Sequence, residues 1–493
     1  MNSDDPRALL DEVKRLRERV ALEGAAMLRR WQPALGRGSF QASAENLAHY
    51  VALRHRDLRP LQAAVAPWGL ASLARCESRV MPTLDVIIVN LAAISDGDVD
   101  VRRPPAAAFA SGIEAIERNA TTLFGQAPEG RETRILVTLS SRAADDRNRV
   151  RGLFEAGMDC ARINCGRDSQ NVWAAMIDNV RAVRAETGRS CPVLMDLSGP
   201  KIRTRTVIAP KGKNAVKAGD RVLLAFDEPQ EDKRFPFQAN CSMPEVLRQV
   251  KVGAKVSVRD GLIAGVVEEI GREGLVMMVT RTPPDGQPLQ PKRGINFPGT
   301  ALHVPPLTET DLKDLDFVAA NADGVSYSFV QRAEDIAWLQ RELEQRRPGR
   351  PPMPIIAKIE TQLAIANLPD MIVQAAGSNP FGVMIARGDL AVEIGYERLS
   401  EVQEEILWLC EAAHVPVIWA TQVLESLIKR GMPSRGEFTD AAMADRAECV
   451  MLNKGEYVGE GITVLDNVIR RMETHKRKRS LQLRPLRAWE AVH

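Results

Sequence analysis

The chain has 493 residues, and its 66 Lys and Arg against 64 Asp and Glu give a formal net charge of +2 at pH 7. This length allows about two to four domains, and the balanced charge gives no reason to expect a nucleic acid as partner. The seven cysteines form no CxxC pair, which indicates a reducing compartment. The longest apolar stretch, residues 86–94, is too short to span a bilayer. We therefore expect a soluble, cytoplasmic protein without a membrane partner.

The first stretch, residues 1–130, is predicted to be an all-α extension. Apolar residues recur every three or four positions at Leu9, Val13, Leu16 and Val20. The same rhythm returns between residues 80 and 94, and this spacing places apolar side chains on one face of a helix. Such helices pack on each other or on a neighbouring domain. We expect the extension to support assembly or regulation.

From Thr133 the chain alternates short apolar runs with helical segments. Eight runs follow one another, at residues 135–139, 160–163, 193–195, 324–327, 355–359, 382–385, 415–419 and 450–452. Eight strand and helix units in series are what a (β/α)8 barrel requires. We predict an α/β fold, a TIM barrel formed by residues 131–204 and 297–478.

The connection after the third run is far too long for a loop. It contains the segments KAGDRVLLAFDEP, VGAKVSVRDGLIAGVVEEI and GLVMMVTRTPPDG. Alternating apolar residues, β-branched side chains and Gly, Asp and Pro turns indicate a small β-barrel. We predict an inserted domain over residues 205–296, which closes as a lid on the catalytic face.

The carboxyl end of the chain is basic. A last helix is predicted over residues 462–476, followed by a basic tail over residues 479–493. The cluster HKRKR at 475–479 could bind nucleic acid, but cations also suit the carboxyl terminus of a helix. Because no aromatic residues are interleaved with it, we expect no nucleic-acid partner.

Polar side chains stand at the carboxyl ends of the predicted strands, where such barrels hold their active sites. Lys358 and Glu360 lie two positions apart, so both face the same side of the fifth strand. Asp389 follows the sixth strand in a turn, Arg387-Gly388, that leaves backbone N–H groups open to an anion. Two carboxylates beside a lysine suit Mg²⁺ that bridges to a phosphorylated, acidic ligand.

Other strand ends add to this set. Arg162 and Asn164 share one face at the end of the second strand, and Thr421 follows the seventh. The stretch from Asp196 to Arg203 follows the third. A fold needs none of these groups, and buried charges without partners cost stability. The sequence therefore predicts a ligand site at this rim.

Several motifs carry a family resemblance: ARINCGRD, MDLSGPKIRT, KRGINFPG, IIAKIE, MIARGDLAVEI, WATQVLESLIKRGMPSRGEFTDAA and CVMLNKGE. In order and spacing they resemble the pyruvate kinase family over residues 133–476. The resemblance implies a phosphotransferase of glycolysis that converts phosphoenolpyruvate and ADP to pyruvate and ATP. It also implies Mg²⁺ as the cofactor, with Mn²⁺ able to replace it.

Carried over to this sequence, the resemblance implies roles on the substrate side. Lys358 would neutralise charge on the transferring phosphoryl group and on the enolate, and Arg162 would hold the phosphate. Glu360 and Asp389 would bind the metal. The substrate-binding residues would be Lys358, Arg387, Gly388 and Asp389.

The resemblance also implies the remaining roles. Thr421 would help to position the group that protonates the enolate. Asn164 and Arg203 would contact the nucleotide phosphates. Lys292 or Arg293 of the lid would close on them.

Some positions depart from the family pattern. Many pyruvate kinases bind K⁺ near a serine and a glutamate, and here Gly166 and Lys201 stand in their places. We expect the Lys201 ammonium, beside Asp196, to substitute for the ion, so that the activity does not require K⁺. Ser198 replaces a usual lysine and Arg167 a usual histidine, and both bear on efficiency and nucleotide preference.

Two other functions remain open. A Mg²⁺-dependent aldolase on the same barrel would act on pyruvate enolate, but such enzymes lack the inserted domain and the threonine. A sensor or scaffold would bind phosphoenolpyruvate or nucleotide through a weakened site.

Most family members carry a regulatory domain after the barrel, and here we expect the sugar-phosphate site of that domain to be missing. We expect a homo-oligomer.

Overall fold

The computed structural model describes residues 5–70, 73–212, 215–473, 476–477 and 480–481. The predicted basic tail over residues 479–493 lies outside the described residues, apart from Ser480–Leu481.

The amino-terminal extension is helical, as predicted. Its helices are α1 (Pro6–Trp31), α2 (Gln41–Arg54), α3 (Arg59–Val65), α4 (Val80–Ser95) and α5 (Ala107–Phe124). Helix α1 begins at a proline, and the carboxylate of Asp5 caps it by accepting a 2.9 Å hydrogen bond from the backbone N–H of Arg7. The apolar stripe of α1 is buried against α2 and α4.

One segment of the extension is more apolar than the sequence analysis expected. By length and composition alone, Glu77–Ser95 could cross a membrane, and half of it is buried inside the protein. Its residues Leu84, Ile87 and Leu91 are fully buried. A helix at the centre of a bundle has the same composition.

The chain then enters a barrel and leaves it again. The first elements are β1 (Arg134–Thr138), α6 (Arg142–Asp145), α7 (Arg147–Ala156), β2 (Cys160–Asn164), α8 (Gln170–Thr187) and β3 (Val193–Asp196). The insertion holds β4 (Thr204–Ile208), β5 (Ala215–Val216), β6 (Arg221–Ala225), β7 (Phe237–Cys241), α9 (Pro244–Leu247), β8 (Lys255–Val258), β9 (Ile263–Ile270), β10 (Gly274–Arg281), β11 (Gln287–Pro288) and β12 (Ile295–Asn296).

The barrel resumes after the insertion. Its elements are α10 (Glu309–Asn321), β13 (Gly324–Tyr327), α11 (Ala333–Arg346), β14 (Ile355–Ile359), α12 (Gln362–Ala366), α13 (Leu368–Ala376), β15 (Phe381–Ala386), α14 (Arg387–Ile394), α15 (Tyr396–Ala412), β16 (Val417–Ala420), α16 (Glu425–Arg430), α17 (Arg435–Ala444), β17 (Cys449–Leu452) and α18 (Val458–Glu473). Two short strands, β18 (Lys476–Arg477) and β19 (Ser480–Leu481), follow. The last helix thus ends before Lys476, earlier than predicted.

Eight parallel strands close into a barrel in the order β1-β17-β16-β15-β14-β13-β3-β2. Each corresponds to one predicted apolar run, so the predicted (β/α)8 barrel is confirmed. The pairing brings the ends of neighbouring strands level, with Asn164 opposite Asp196 and Lys358 opposite Met384. Polar residues at these ends therefore meet at one rim.

The insertion is a seven-stranded sheet in the order β12-β8-β9-β10-β6-β7-β4. Its outer strands meet at a bridge between Arg203 and Gly294, supported by a 2.8 Å hydrogen bond from Ile295 N–H to the carbonyl of Ile202. These contacts join the two edges, as in the small barrel we predicted. A separate apolar core that includes Val256 and Met277 fills it.

Helix α5 lies across the amino-terminal mouth of the barrel. Its residues Ala120, Leu123 and Phe124 are buried in one cluster with inward side chains of the strands. The partners on the strands are Leu136, Cys160, Leu194, Ile356, Met384, Ile418, Ala420, Cys449 and Met451. The extension therefore completes the core of the barrel.

The extension also contacts the outer helices of the barrel. Backbone N–H of Arg37 donates a 2.6 Å hydrogen bond to the carbonyl of Gly377, where a side chain would collide with the carbonyl of Ala34. The buried His414, after α15, contacts the hydroxyl of Ser43 at 2.9 Å and the carbonyl of Ser78 at 3.0 Å. These buried polar contacts fix the extension on the barrel.

Candidate active site

The ammonium of Lys358 lies at the centre of the rim formed by the carboxyl ends of the strands. It is buried on β14 and donates a 2.7 Å hydrogen bond to the hydroxyl of Ser328. It lies 3.2 Å from Oε1 of Glu360 and 3.6 Å from Oδ2 of Asp196. Burial would lower the pKa of Lys358, but these two carboxylates outweigh it and raise that pKa. The site thus keeps a fixed positive charge.

A second buried cation, Arg162, lies beside Lys358. Its Nε and Nη2 atoms donate hydrogen bonds of 2.8 and 2.6 Å to Oδ2 of Asp196, and Nη1 donates to the hydroxyl of Thr138 at 2.9 Å. Burial would raise the pKa of Asp196, but the charges of Arg162 and Lys358 hold it below its ordinary value. Asp196 therefore orients both cations toward the space at the rim.

Glu360 and Asp389 are the carboxylates that could hold a divalent ion. Oε2 of Glu360 accepts a 2.6 Å hydrogen bond from the backbone N–H of Phe329. Burial raises the pKa of Glu360, and the negative charge of Asp389 adds to the rise, against the opposing charge of Lys358. A cation between the two carboxylates would relieve this repulsion, and hard oxygen ligands are what Mg²⁺ prefers.

A metal ion at these two carboxylates would need further ligands. Among the residues that the structure describes, no group of three or more His, Cys, Asp or Glu is arranged to hold a metal ion. Mg²⁺ commonly uses one or two carboxylates and completes its shell with water and substrate oxygens. The Glu360 and Asp389 pair fits that mode.

Lys201 lies in a different place from the one we expected. We expected it beside Asp196, whereas its ammonium donates hydrogen bonds of 2.7 and 3.0 Å to the two carboxylate oxygens of Asp389. It also lies 5.8 Å from the ring centroid of Phe329. The partners of Asp196 at this rim are Arg162 and Lys358, both on its Oδ2 atom, and Lys201 pairs with Asp389. One predicted metal ligand is thus neutralised by a lysine.

The loop after β16 is held in an unusual conformation. Thr421 and Gln422 have φ angles of 67° and 60°, a region that a β-branched residue rarely adopts. The guanidinium of Arg387 stabilises this loop, because it donates to the carbonyls of Ala420 and Thr421 at 3.0 and 2.5 Å and pairs with Asp440.

This conformation brings the Thr421 hydroxyl to the start of α14. The hydroxyl oxygen accepts a 2.9 Å hydrogen bond from the backbone N–H of Gly388. The turn that we expected to receive a substrate carboxylate therefore contacts the threonine that we expected near the enolate. Strain at such a position is typical of a functional loop.

The residues predicted to bind nucleotide come from the end of β2 and from the join of lid and barrel. Arg203, Lys292 and Arg293 are exposed near the join of lid and barrel, and within the described ranges none of them forms an ion pair. The Asn164 side chain accepts a 2.9 Å hydrogen bond from Gly166 N–H. A side chain at Gly166 would lie close to the Ser198 hydroxyl, at 3.1 Å.

Several residues of the site were not predicted from the sequence. Ser328 contacts Lys358, Thr138 contacts Arg162, and Asp440 pairs with Arg387. Ser328 could have been predicted, because it follows the fourth strand and shares a face with Ser326. Asp440 could not, because it lies on α17 and no local sequence pattern relates a helix residue to an ion-pair partner on another element.

Fold and site together define a (β/α)8-barrel protein with an inserted lid and a rim of buried, paired charges. The family model for the pyruvate kinase barrel domain matches residues 130–461. Human "Pyruvate kinase PKLR" is 34% identical over 357 residues, which are 70% of this chain and 60% of the human one. "Pyruvate kinase" of Geobacillus stearothermophilus is 32% identical over 350 residues, 70% of this chain and 57% of that one.

A solved structure agrees with these relatives. A pyruvate kinase from Cryptosporidium parvum superposes with a TM-score of 0.62 at 28% identity, covering 72% of this chain and 70% of that chain. The chain spans less than two thirds of the human and Geobacillus relatives. On these matches, the chain belongs to the pyruvate kinase family.

Proposed function

We propose that the chain transfers the phosphoryl group of phosphoenolpyruvate to ADP, forming ATP and the enolate of pyruvate, which then takes up a proton. The observation that carries the proposal is the buried Lys358 ammonium, held by Glu360, Asp196 and Ser328 at the mouth of the barrel. Phosphoryl transfer depends on positioning and charge neutralisation, which is what such a site supplies.

Each group has a defined part in the proposed reaction. Arg162 would hold the phosphate, and Lys358 would stabilise the negative charge that develops on the phosphoryl group and then on the enolate oxygen. Glu360 and Asp389 would hold Mg²⁺, which neutralises phosphate and carboxylate oxygens when bound. The Thr421 hydroxyl would position the proton donor for the enolate carbon. The exposed cations of the lid would close on the nucleotide phosphates.

The test is a coupled assay for pyruvate from phosphoenolpyruvate and ADP, with and without Mg²⁺. We expect Lys358→Met to lower the turnover number by about 100- to 1,000-fold or more. Lys429→Met is the matched control, because Lys429 is exposed on α16 and, among the residues that the structure describes, pairs with Glu425 alone. Circular dichroism would verify that both variants fold. Full activity in Lys358→Met would contradict the proposal.

We also propose that the activity does not depend on K⁺, because Lys201 brings a permanent cation to the rim. Its support is the contact with Asp389, one of the two carboxylates of the site. Activity in tetramethylammonium buffer should equal activity in K⁺ buffer, and Lys201→Gln should introduce a response to K⁺. A strict K⁺ requirement in the unmodified chain would refute this.

The same lysine favours one alternative, a protein that binds these ligands without turnover. Because Lys201 pairs with Asp389, it would compete with a metal ion for that carboxylate. Calorimetric binding of phosphoenolpyruvate with no pyruvate formed would support the alternative. The aldolase reading has less support, because the inserted domain and the Thr421 loop are both present. A cytoplasmic location and a homo-oligomer stay predictions.

A further inference from the structure

A cavity of about 680 Å³ lies at the amino-terminal end of the barrel. Its lining comes from α11, from residues 347–353 and from residues 374–379 around the end of α13. Met353 and Asn379 precede β14 and β15, so this cavity lies at the opposite end of the strands from Lys358. Its volume is within the range of small-molecule sites.

Three arginines line this cavity: Arg341, Arg347 and Arg350. Within the described part of the chain, none of them has a carboxylate at ion-pair distance, and the one carboxylate of the lining is Glu344. Nη1 of Arg347 donates a hydrogen bond of 3.1 Å to the carbonyl of Ala319. Its Nε atom is buried and has no hydrogen-bond partner there. Such a donor costs free energy unless an acceptor reaches it.

A rigid turn fixes two of these arginines next to each other. The backbone N–H of Arg350 donates a 3.1 Å hydrogen bond to the carbonyl of Arg347, and Gly349 has a φ of 72°. Pro348 and this glycine occupy the central positions of the turn, as a type II turn requires. The ends of such a turn lie within about 7 Å. The backbone of the turn therefore keeps the Cα atoms of two cavity-lining arginines close to each other.

The two arginines of the turn carry like charges that an anion would balance. Burial lowers the pKa of Arg347, and the positive charge of Arg350 lowers it further. A bound anion would be attracted to both positive charges.

The floor of the cavity is rigid and polar. The Gln340 side chain donates a 2.8 Å hydrogen bond to Oδ1 of Asn379, and the Gln374 side chain donates one of 2.8 Å to Oε1 of Gln340. The Asn379 amide donates to the carbonyl of Met353 at 2.9 Å. A preorganised floor reduces the entropy cost of binding a polar ligand.

We propose that this cavity binds a small multivalent oxyanion, a metabolite with several phosphate or carboxylate groups, through Arg341, Arg347 and Arg350. Guanidinium groups match the geometry of both phosphate and carboxylate oxygens. The buried Nε of Arg347 would gain the acceptor that it lacks. This proposal does not depend on the proposed activity, since it concerns the other end of the barrel.

The test is isothermal titration calorimetry of the full chain with inorganic pyrophosphate and, separately, with citrate. The double variant Arg341→Ala/Arg350→Ala removes two of the three charges and leaves the Arg347 contact to Ala319 in place. We expect its Kd for the anion that binds to rise by about tenfold or more. The anion with the lower Kd would show whether the cavity prefers phosphate or carboxylate ligands.

Two controls separate this site from others. Arg102→Ala/Arg103→Ala removes two exposed arginines from the loop before α5, so it measures the effect of net charge alone. Arg203→Ala removes a residue assigned to the nucleotide, so it reports anion binding at the active site. The proposal is supported if the cavity variant loses anion binding and both control variants retain it. It is overturned by no binding to the unmodified chain, by binding that survives the cavity variant, or by equal loss in Arg102→Ala/Arg103→Ala.

Discussion

At the scale of single residues, Asp196 has the most demanding position, because two cations depend on it. Its Oδ2 atom accepts both hydrogen bonds from Arg162 and lies 3.6 Å from Lys358. Removing one partner of a buried ion pair leaves the others uncompensated. We expect Asp196→Asn to lower the free energy of unfolding by about 3 kcal/mol or more at pH 7, measured by urea denaturation.

The pH dependence of this effect follows from the depressed pKa of Asp196. Its stabilising contribution is complete above the pKa of an unfolded aspartate, about 3.9, and is lost as the pH falls through the lower folded pKa. The difference in free energy of unfolding between the unmodified chain and Asp196→Asn should therefore become smaller below about pH 4. Asp100→Asn, at an exposed partner of Lys14, should leave the urea midpoint unchanged. A gap that widens in acid would contradict this account.

A second prediction concerns the effect of the Thr421 hydroxyl on the turnover number. Thr421→Val keeps the shape of the side chain but leaves Gly388 N–H without its acceptor. We expect the turnover number to fall about 100-fold, the size of effect associated with proton-transfer groups. Thr421→Ser keeps the hydroxyl and should retain most of the activity. Equal losses in the two variants would mean that the hydroxyl is not what matters.

Periodicity determines which residues of the site could be predicted from the sequence. Lys358 and Glu360 lie on one strand, so alternation alone places both on one side. The partner of Lys201 depends instead on a loop after β3 and on a helix after β15, and no local pattern relates the two. Its contact with Asp389, and not with Asp196, could only come from the three-dimensional structure.

At the scale of elements, α5 closes the barrel from below. Phe124 is fully buried among strand residues, whereas Ile113 on the same helix is 40% exposed. We expect Phe124→Ala to cost about 3–5 kcal/mol in free energy of unfolding, because it leaves a cavity that the closed ring of strands cannot fill. Ile113→Ala should have little effect in the same urea titration. Equal effects would show that the contact with the barrel is unimportant.

The elements differ in how well the sequence predicts them. The eight barrel strands could be predicted because each is a short apolar run bounded by polar residues. The stripes of α1 predict a buried face but not its neighbour, which is set by contacts between distant segments. The packing of α5 on the barrel was therefore out of reach, although its helical character was not.

At the scale of the whole molecule, every cysteine is shielded from solvent. The seven thiols are free and buried, in the extension, the barrel and the lid. Burial raises the pKa of Cys76 to about 12, and thiolates are the reactive species. We expect the native chain to react negligibly with Ellman's reagent at pH 8, and the chain in guanidinium chloride to show seven thiols. Rapid reaction of several thiols in the native chain would contradict this packing.

The position of α5 beneath the barrel has a consequence for biosynthesis. The ribosome makes Phe124 before any barrel strand, yet the ring that surrounds it closes only when β17 pairs with β1. At ordinary rates of translation, the helix waits on the order of half a minute for its binding partners. During that interval the nascent chain carries an uncovered apolar face, and we expect chaperones that bind such faces to raise the yield of folded chain.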